Sequence, residues 1–401
     1  MRVLIVGSGG VALTRPLDWV VKSGHEVWLL GDDDPYENHP PDNYRFFPTV
    51  LQKYREEITD IYAHEPRMAE ENAEPLRKLV DEFQPDVIHV HAIGWHAQFC
   101  ALANVRPLVV SAWGFLNHLI KSKEVLEVEK DYRDDHTDRV AQVFEKTDVL
   151  IVETPILVEN SKPLLNQDRR VELMPLGTNT QHFCPGVTRD LQKWRWELFR
   201  AKEDTTVLLS PRGLAELYNH EQIYDAYALA YSRFTRPTII VFSSMGRSFL
   251  AEEASSVYDK ICKKAGELGI LENIRWLPGF PYDLMPTLYN VSDVIVNYPK
   301  QDAFPSTVVE AIACERPVIT CDLLAYQGTF ITEFCTLVEP ENTSALAEAM
   351  IKIVNQPSQE RKEHLARARQ VVVERCDETI LQRQLLQIYE DLISRRKESD
   401  R

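Results

Sequence analysis

Short runs of apolar and β-branched residues alternate with longer stretches of helical periodicity along the whole chain. Runs this short and this continuously apolar are typical of parallel strands that helices cover on both faces. They predict strands at residues 3–6, 27–30, 87–90, 108–110, 149–152, 171–174, 207–210, 238–242, 274–277, 294–297, 318–320 and 336–339. Six strands, each usually followed by a helix, therefore occur twice, and we predict an α/β fold with two doubly wound, Rossmann-like sheets.

The two predicted domains meet where Pro185 and Gly186 interrupt this pattern. We expect an N-terminal domain over residues 1–185 and a C-terminal domain over 186–377. A last helix over 378–401 is expected to cross back to the N-terminal domain. Its apolar stripe consists of Leu381, Leu385, Ile388 and Leu392. Because ligands of open parallel sheets bind at the carboxyl ends of the strands, we expect a site in the cleft between the domains.

Composition excludes several classes of partner. The formal net charge of −16 disfavours nucleic acid, since phosphate binding needs a basic surface. Membrane contact is expected to be peripheral at most, because no apolar run reaches the length of about 18 residues that a bilayer span needs. The first apolar run is too short for a signal peptide. The chain has 7 cysteines, an odd number, and no C-x-x-C pair, which favours the reducing cytoplasm.

A glycine-rich segment, GSGGVA at residues 7–12, follows the first predicted strand. It fits the G-x-G-x-x-A pattern of dinucleotide-binding folds, but glycines at such a turn allow close approach to any ligand. None of the 15 tyrosines has a lysine four positions later, so the Tyr/Lys pair of nicotinamide-dependent short-chain dehydrogenases is missing. The acidic run at residues 32–34 is expected to be a solvated loop rather than a ribose or metal site.

The segment DAFPSTVVEAIACERPVIT, residues 302–320, carries the strongest functional signal. Pro305 followed by Ser306 and Thr307 predicts the start of a helix. The free amides at such a start, aided by the helix dipole, can hold a diphosphate. Glu310, one turn later, can accept two hydrogen bonds from a ribose. The alternative is a partly exposed glutamate paired with an arginine, and the residues alone favour neither.

Several segments of the chain resemble the retaining family-4 glycosyltransferases, which have the GT-B fold of two Rossmann-like domains facing a cleft. The segment 302–320 resembles the family's signature of two acids separated by seven residues. The other similar segments are MPLGTNTQHFCP, LSPRGLAELYNHEQIYDAYALA, IRWLPGF, LYNVSDVIVNYP and LVEPENTSALAEAMIKIV. They occur in the family's order and spacing, so the resemblance covers most of the chain.

The resemblance implies a donor site. By analogy with the family, Glu310 holds the nucleotide ribose, Asp302 contacts the transferred sugar in place of the usual glutamate, and Arg212 binds the diphosphate. The implied donor-binding set is Gly9, Gly10, Arg212, Asp302, Phe304, Pro305, Ser306, Thr307 and Glu310, of which Arg212 and Asp302 are the implied catalytic residues. The family's lysine, five residues after the arginine, is missing. Lys300 and Arg247 are the candidates for a second positive charge, and ordinary surface bases are the alternative.

The N-terminal half departs from the family at one position. Many members have a histidine near the sugar where this chain has Trp113, a residue that can stack on a sugar ring or pack in the core. His91 and His96 are candidates for contact with the acceptor. His89 and His91 share one face of a strand, a geometry that can bind zinc, but no cysteine or nearby acid completes such a site, so we expect no metal.

We therefore predict a metal-independent, cytoplasmic, retaining glycosyltransferase without a cofactor, whose donor is a nucleotide-diphosphate sugar. A UDP-sugar is the expected donor, although the residues do not specify the base. Small-molecule, lipid-linked and glycan acceptors all remain open. The alternatives are a catalytically weak nucleotide-sugar-binding protein, a GT-B epimerase or phosphorylase, and a nicotinamide enzyme.

Overall fold

The computed structural model describes residues 1–51, 61–112, 133–162, 165, 169–186, 189–243 and 251–399. The chain forms two compact units, the first made of Met1–Leu176 with Thr379–Arg401 and the second of Gly177–Glu378. Each unit contains a parallel sheet of the described strands together with helices. The predicted α/β architecture with two doubly wound sheets is confirmed.

The described strands of the first unit form a parallel sheet in the order β3-β2-β1-β4-β5-β6-β7. They are β1 (Arg2–Gly7), β2 (Glu26–Gly31), β3 (Tyr44–Pro48), β4 (Val87–His91), β5 (Leu108–Ser111), β6 (Val149–Val152) and β7 (Arg170–Leu173). The helices that alternate with them are α1 (Val11–Lys22), α2 (Ile61–Phe83), α3 (Trp95–Ala103), α4 (Arg133–Lys146) and α5 (Pro155–Ser161). The prediction of six strands missed β3, which pairs with β2 at the edge of the sheet.

The described strands of the second unit form a parallel sheet in the order β10-β9-β8-β11-β12-β13. They are β8 (Thr206–Ser210), β9 (Thr238–Ser243), β10 (Ile274–Leu277), β11 (Val294–Asn297), β12 (Val318–Cys321) and β13 (Thr336–Val338). Its described helices are α6 (Leu191–Phe199), α7 (His220–Ala230), α8 (Ala251–Glu267), α9 (Met285–Val291), α10 (Ser306–Ala313), α11 (Ile331–Phe334), α12 (Thr343–Asn355) and α13 (Lys362–Cys376). All six strands predicted for this half are confirmed.

The last helix, α14 (Glu378–Ser399), packs against the sheet of the first unit. Leu381, Leu385 and Ile388 are buried in the same apolar cluster as Val3 and Ile5 of β1, and Leu392 packs at its margin. Spacings of three and four residues place these side chains on one helix face, so the predicted stripe is confirmed. Within the described ranges, no helix is both long and apolar enough to cross a bilayer.

Each sheet has one point at which the strand order reverses. In the first unit it lies between β1 and β4, and in the second between β8 and β11, which are hydrogen-bonded neighbours. Loops leaving the carboxyl ends of two such strands diverge to opposite faces and leave a crevice in which ligands bind. The fold therefore marks the loops after β8 and β11 as the place to examine in the second unit.

Candidate functional site

The switch point of the second sheet brings Arg212 and Asp302 together. Arg212 follows β8 by two residues, and Asp302 lies in the loop after β11. A guanidinium nitrogen, Nη1 of Arg212, lies 3.7 Å from Oδ2 of Asp302, and the two side chains are 18% and 12% exposed. Among the residues that the structure describes, Asp302 is the carboxylate paired with this cation at the carboxyl edge of the sheet, which is a setting suited to an anionic ligand.

Both members of this pair have shifted pKa values. Burial lowers the pKa of Arg212, but the charge of Asp302 and the contact with Tyr218 outweigh it and raise that pKa above its ordinary value. Burial raises the pKa of Asp302, although the Arg212 guanidinium and the Ala303 amide oppose the shift. The Ala303 N–H donates to Oδ1 of Asp302 over 3.0 Å. Arg212 therefore keeps its proton, and its positive charge is the stable feature of the crevice.

Helix α10 begins next to this pair. Pro305 is its N-cap, with extended backbone angles, and no side chain caps the helix start. Its carbonyl accepts from the amides of Val308 at 3.0 Å and Val309 at 3.2 Å. The amides of Ser306 and Thr307 belong to the first turn of the helix, where a backbone N–H has no acceptor within the helix. The predicted helix start is confirmed, and its positive dipole end faces the loop that carries Asp302.

The side chain of Phe304 packs inside the unit. It is 5% exposed, and its ring stands edge-to-face on Phe330 with centroids 5.7 Å apart. Any contact between this residue and a donor would come from its backbone. The aromatic contact instead anchors the loop through which the chain enters α10.

Glu310 is buried, with 2% of its surface exposed. This excludes the alternative of a partly exposed surface glutamate. Its Oε1 accepts from the Tyr282 hydroxyl at 3.0 Å, and its Oε2 accepts from the Tyr289 hydroxyl at 3.1 Å. Burial, reinforced by the Glu310 charge, raises the pKa of Tyr289 well above its ordinary value, so this phenol stays a donor. Each carboxylate oxygen therefore accepts one hydrogen bond from a hydroxyl, the same kind of bond that the two hydroxyls of a ribose would donate.

Of the two candidates for a second positive charge, the structure describes only Lys300. Lys300 is exposed, and its amide donates to the Leu217 carbonyl over 2.8 Å. Leu217, five residues after Arg212, where the resemblance implies a lysine, is 42% exposed. The backbone of Lys300 therefore adjoins Leu217, the position at which the resemblance implies a lysine. Arg247 lies outside the described residues.

The glycine loop of the first unit is shaped by close contacts. A Cβ on Gly7 would lie 3.2 Å from the Cβ of His91, which is tighter than most Cβ contacts, so glycine is favoured where β1 and β4 end side by side. Gly10 has a φ of 98°, which favours glycine, and its carbonyl accepts the first hydrogen bonds of α1. Gly9 passes near Asp33, since a Cβ there would lie 3.6 Å from Oδ2 of Asp33.

The acidic run after β2 is not entirely a solvated loop. Asp32 is 4% exposed, which contradicts the expectation for this residue. Its Oδ1 accepts from the Thr49 hydroxyl at 2.5 Å, and its Oδ2 lies 3.1 Å from Nε2 of His96. Asp33 is exposed, as expected. His96 therefore contacts a buried carboxylate, and Trp113 lies outside the described residues.

The neighbouring histidines of β4 belong to the core. His89 is fully buried, with Nδ1 2.5 Å from the Tyr389 hydroxyl and Nε2 2.7 Å from the Ser111 hydroxyl. Burial lowers its pKa well below the ordinary value, and burial lowers the pKa of His91 to about 3. Both rings are therefore neutral, and the nitrogens of His89 are taken up by two hydroxyls rather than by a metal.

Buried neutral imidazoles make the protein sensitive to acid. Burial lowers the pKa of His220 in the second unit to about 4, as it does for His89 and His91 in the first. Since an unfolded histidine titrates near pH 6.5, the unfolded chain binds more protons below that pH and stability falls as the pH falls. For His91 and His220 we expect the free energy of unfolding to drop by about 2 kcal/mol each between pH 7 and 5, and His89 adds to the drop in the same direction. Denaturant unfolding at both pH values measures this, and a flat profile would contradict it.

Three tyrosines that contact these charged groups were missed by the sequence reasoning. The Tyr218 ring lies under the Arg212 guanidinium, whose Cζ is 4.0 Å from the ring centroid, and Tyr282 and Tyr289 bind Glu310. Tyr218 stands next to the position of the missing lysine, a signal that could have pointed to it. No local pattern points to the other two.

Comparison with known families gives two matches. The family model described as glycosyl transferases group 1 matches residues 191–371, and the model described as glycosyl transferase 4-like matches residues 52–144. Among curated proteins, the chain is 23% identical over 235 residues to D-inositol 3-phosphate glycosyltransferase of Corynebacterium urealyticum, covering 58% of this chain and 54% of that protein. It is 25% identical over 179 residues to the enzyme of that name from Mycolicibacterium smegmatis, covering 44% and 38%. The chain thus spans about half the length of the first of these relatives, and less of the second.

Solved structures are similar over the full chain. Sucrose-phosphate synthase from Thermosynechococcus elongatus superposes with a TM-score of 0.76 at 17% identity, covering 98% of this chain and 99% of that one. HepE from Anabaena, solved in complex with UDP-glucose, gives a TM-score of 0.72 at 15% identity, covering 98% and 100%. At these identities the similarity concerns the fold.

Proposed function

The chain belongs to the glycosyl transferases group 1 family, and from this premise we propose that it is a retaining enzyme that moves a sugar from a nucleotide-diphosphate sugar to an acceptor hydroxyl. The family membership expected from the sequence is confirmed, as is the GT-B fold, through the two sheets and the full-length structural neighbours. The glycosyltransferase class follows from the family. The donor, the stereochemistry and the acceptor are the parts that we propose.

One observation carries the proposal about the donor. The guanidinium of Arg212 lies beside Asp302 in the loop that leads into α10, α10 begins without a side-chain cap, and the buried carboxylate of Glu310 lies one turn into that helix. A cation beside free amides suits a diphosphate, and a carboxylate that accepts two hydroxyl hydrogen bonds one helical turn later suits the adjoining ribose. Asp302, the start of α10 and Glu310 follow one another along the chain in the order of the sugar, the diphosphate and the ribose of a sugar nucleotide.

The proposed reaction builds negative charge on the leaving group. The bond between the anomeric carbon and the diphosphate oxygen breaks, and a bond from that carbon to the acceptor oxygen forms on the same face. The acceptor's proton passes to the departing phosphate, so the products are a glycoside and a nucleoside diphosphate. Arg212 and the amides of Ser306 and Thr307 stabilise the developing charge, each charge-assisted hydrogen bond contributing about 1.5–3 kcal/mol. In this proposal Asp302 contacts the transferred sugar.

We propose a UDP-sugar as the donor, in line with HepE in its complex with UDP-glucose. Lys300 is the proposed second positive charge, because its backbone adjoins Leu217, and a raised donor KM in the Lys300→Ala variant tests this. Acceptors of all three classes remain candidates, and inositol 3-phosphate is the first to assay, since two relatives are named for it.

A melting-temperature panel across UDP-, GDP- and ADP-sugars tests the proposed function. A ligand that binds only the folded chain stabilises it by about 2.7 kcal/mol at a hundred times its Kd, so a UDP-sugar is expected to raise Tm. The best donor is then incubated with acceptors, and NMR of the product is expected to show the donor's anomeric configuration.

The same experiment separates the alternatives. Binding without transfer indicates a nucleotide-sugar-binding protein, which the missing lysine favours. A sugar nucleotide altered at another carbon indicates an epimerase, and NAD as the only stabilising ligand indicates a nicotinamide enzyme. An inverted anomeric configuration contradicts the retaining mechanism alone.

A further inference from the structure

In the proposed donor site an aromatic ring lies against the guanidinium of Arg212, the cation that pairs with Asp302. We propose that Tyr218 is a positioning residue that fixes the Arg212 guanidinium for the diphosphate and so offsets the missing lysine. This inference rests on the proposed function. It gives a role to Tyr218, a residue outside the donor-binding set that the resemblance implies.

The guanidinium is held on two different sides. The Tyr218 ring covers its face, with Arg212 Cζ 4.0 Å from the ring centroid, well inside the roughly 6 Å range of cation–π attraction. Asp302 lies at its edge, 3.7 Å from Nη1. A contact on the face and a contact on the edge together fix the plane of the group. The ring contact itself uses no N–H donor, and a guanidinium has five of them, so donors beyond those that interact with the Tyr218 hydroxyl and Asp302 are left for phosphate oxygens.

The segment that carries Tyr218 is itself anchored on Arg212. The chain passes through a short 3-10 helix, Glu216–Tyr218, and turns at Asn219, whose φ of 57° is left-handed. The next residue, His220, is buried, and its Nε2 donates to the Arg212 carbonyl over 3.1 Å. The same turn therefore holds the backbone of Arg212 through His220 and its side chain through Tyr218.

The loop after β11 holds this segment from the other side. The Lys300 amide donates to the Leu217 carbonyl over 2.8 Å, which ties the two loops at the switch point together. A free arginine side chain loses rotamer entropy when a ligand immobilises it. An arginine that is already held loses less, so its charge acts more effectively on a transient diphosphate. Positioning can in this way compensate for a smaller total charge.

The test uses the full chain with Tyr218→Phe, Tyr218→Leu, and Tyr218→Leu combined with Leu217→Lys. UDP affinity and the kcat/KM of transfer from UDP-glucose are measured beside Tm. The Phe variant keeps the ring and is expected to stay within about threefold of the wild type. The Leu variant is expected to lose about tenfold, the loss of a partly desolvated cation–π contact. Lysine at 217 is expected to restore most of that loss, which a purely structural role of Tyr218 would not allow.

Trp196→Leu is the matched control. Trp196 is exposed on α6, outside the site, and its ring makes the same kind of cation–π contact, with Cζ of Arg200 5.5 Å from the ring centroid. Its replacement is expected to leave kcat/KM unchanged. Equal activity of wild type and the Leu variant, or an equal loss in the Phe and Leu variants, overturns the inference alone. A wild-type chain that binds no UDP and transfers no sugar overturns the proposed function together with it.

Discussion

Arg212→Ala is expected to lower kcat/KM for sugar transfer by about 100- to 1000-fold, the range found when one preorganised donor to a developing oxyanion is removed. The charge on the leaving diphosphate is greater in the transition state than in the bound donor. We therefore expect most of the loss in kcat and a smaller rise in donor KM. Arg212→Lys keeps the charge but lacks the planar fork and its stacking on Tyr218, so it is expected to fall between the wild type and the Ala variant.

The Ala variant also leaves Asp302 without its cation. Burial already raises the pKa of Asp302, and the loss of Arg212 raises it further, so this carboxyl is expected to take up a proton rather than unfold the chain. A melting scan checks this. The control is Arg233→Ala, which removes an exposed arginine paired with Glu348 in the same unit and is expected to change kcat/KM by less than twofold. An Arg212→Ala enzyme within tenfold of the wild type would contradict the proposed role.

Much of the fold could be predicted because its strands are short, apolar and buried. Each of the twelve predicted strands is present, and the runs at β1 and β8 are almost wholly buried. The missed strand, β3, reads YRFFP and is half exposed at the edge of the sheet, next to β2. An edge strand is covered on fewer sides, so it needs fewer apolar residues and gives a weaker pattern.

Contacts between distant segments could not be predicted in the same way. The helix start at Ser306 and the position of Glu310 follow from local spacing, and both are where the sequence placed them. The hydroxyls that bind Glu310 come from residues 28 and 21 positions earlier. The prediction for Asp32 was wrong for the same reason, because Asp32 is buried against Thr49, which follows β3, and His96, which lies on α3. The roles of the donor-site residues remain predictions.

Glu310→Gln is expected to weaken binding of the nucleotide sugar by about 10- to 100-fold, the loss of one charge-assisted hydrogen bond of about 1.5–3 kcal/mol. Two ribose hydroxyls need two acceptors, and the amide offers one acceptor and one donor. Because the ribose is remote from the bond that breaks, its contacts are the same in ground and transition states. The donor KM and the UDP Kd should therefore rise together while kcat changes little, which is the opposite division from that of Arg212→Ala.

The two phenols on Glu310 supply the controls, and they should differ in their effect on UDP affinity. Tyr282 is 42% exposed, so its hydroxyl is the one that a ribose can displace, whereas Tyr289 is fully buried. Tyr282→Phe removes a competitor for Oε1 and is expected to tighten UDP binding several-fold while lowering Tm, because without ligand the carboxylate loses one hydrogen-bond donor. Tyr289→Phe is expected to lower Tm by a similar or larger amount with no gain in affinity. If Glu310→Gln binds UDP as well as the wild type does, the carboxylate does not hold the ribose, and both phenols are then structural partners of a buried acid.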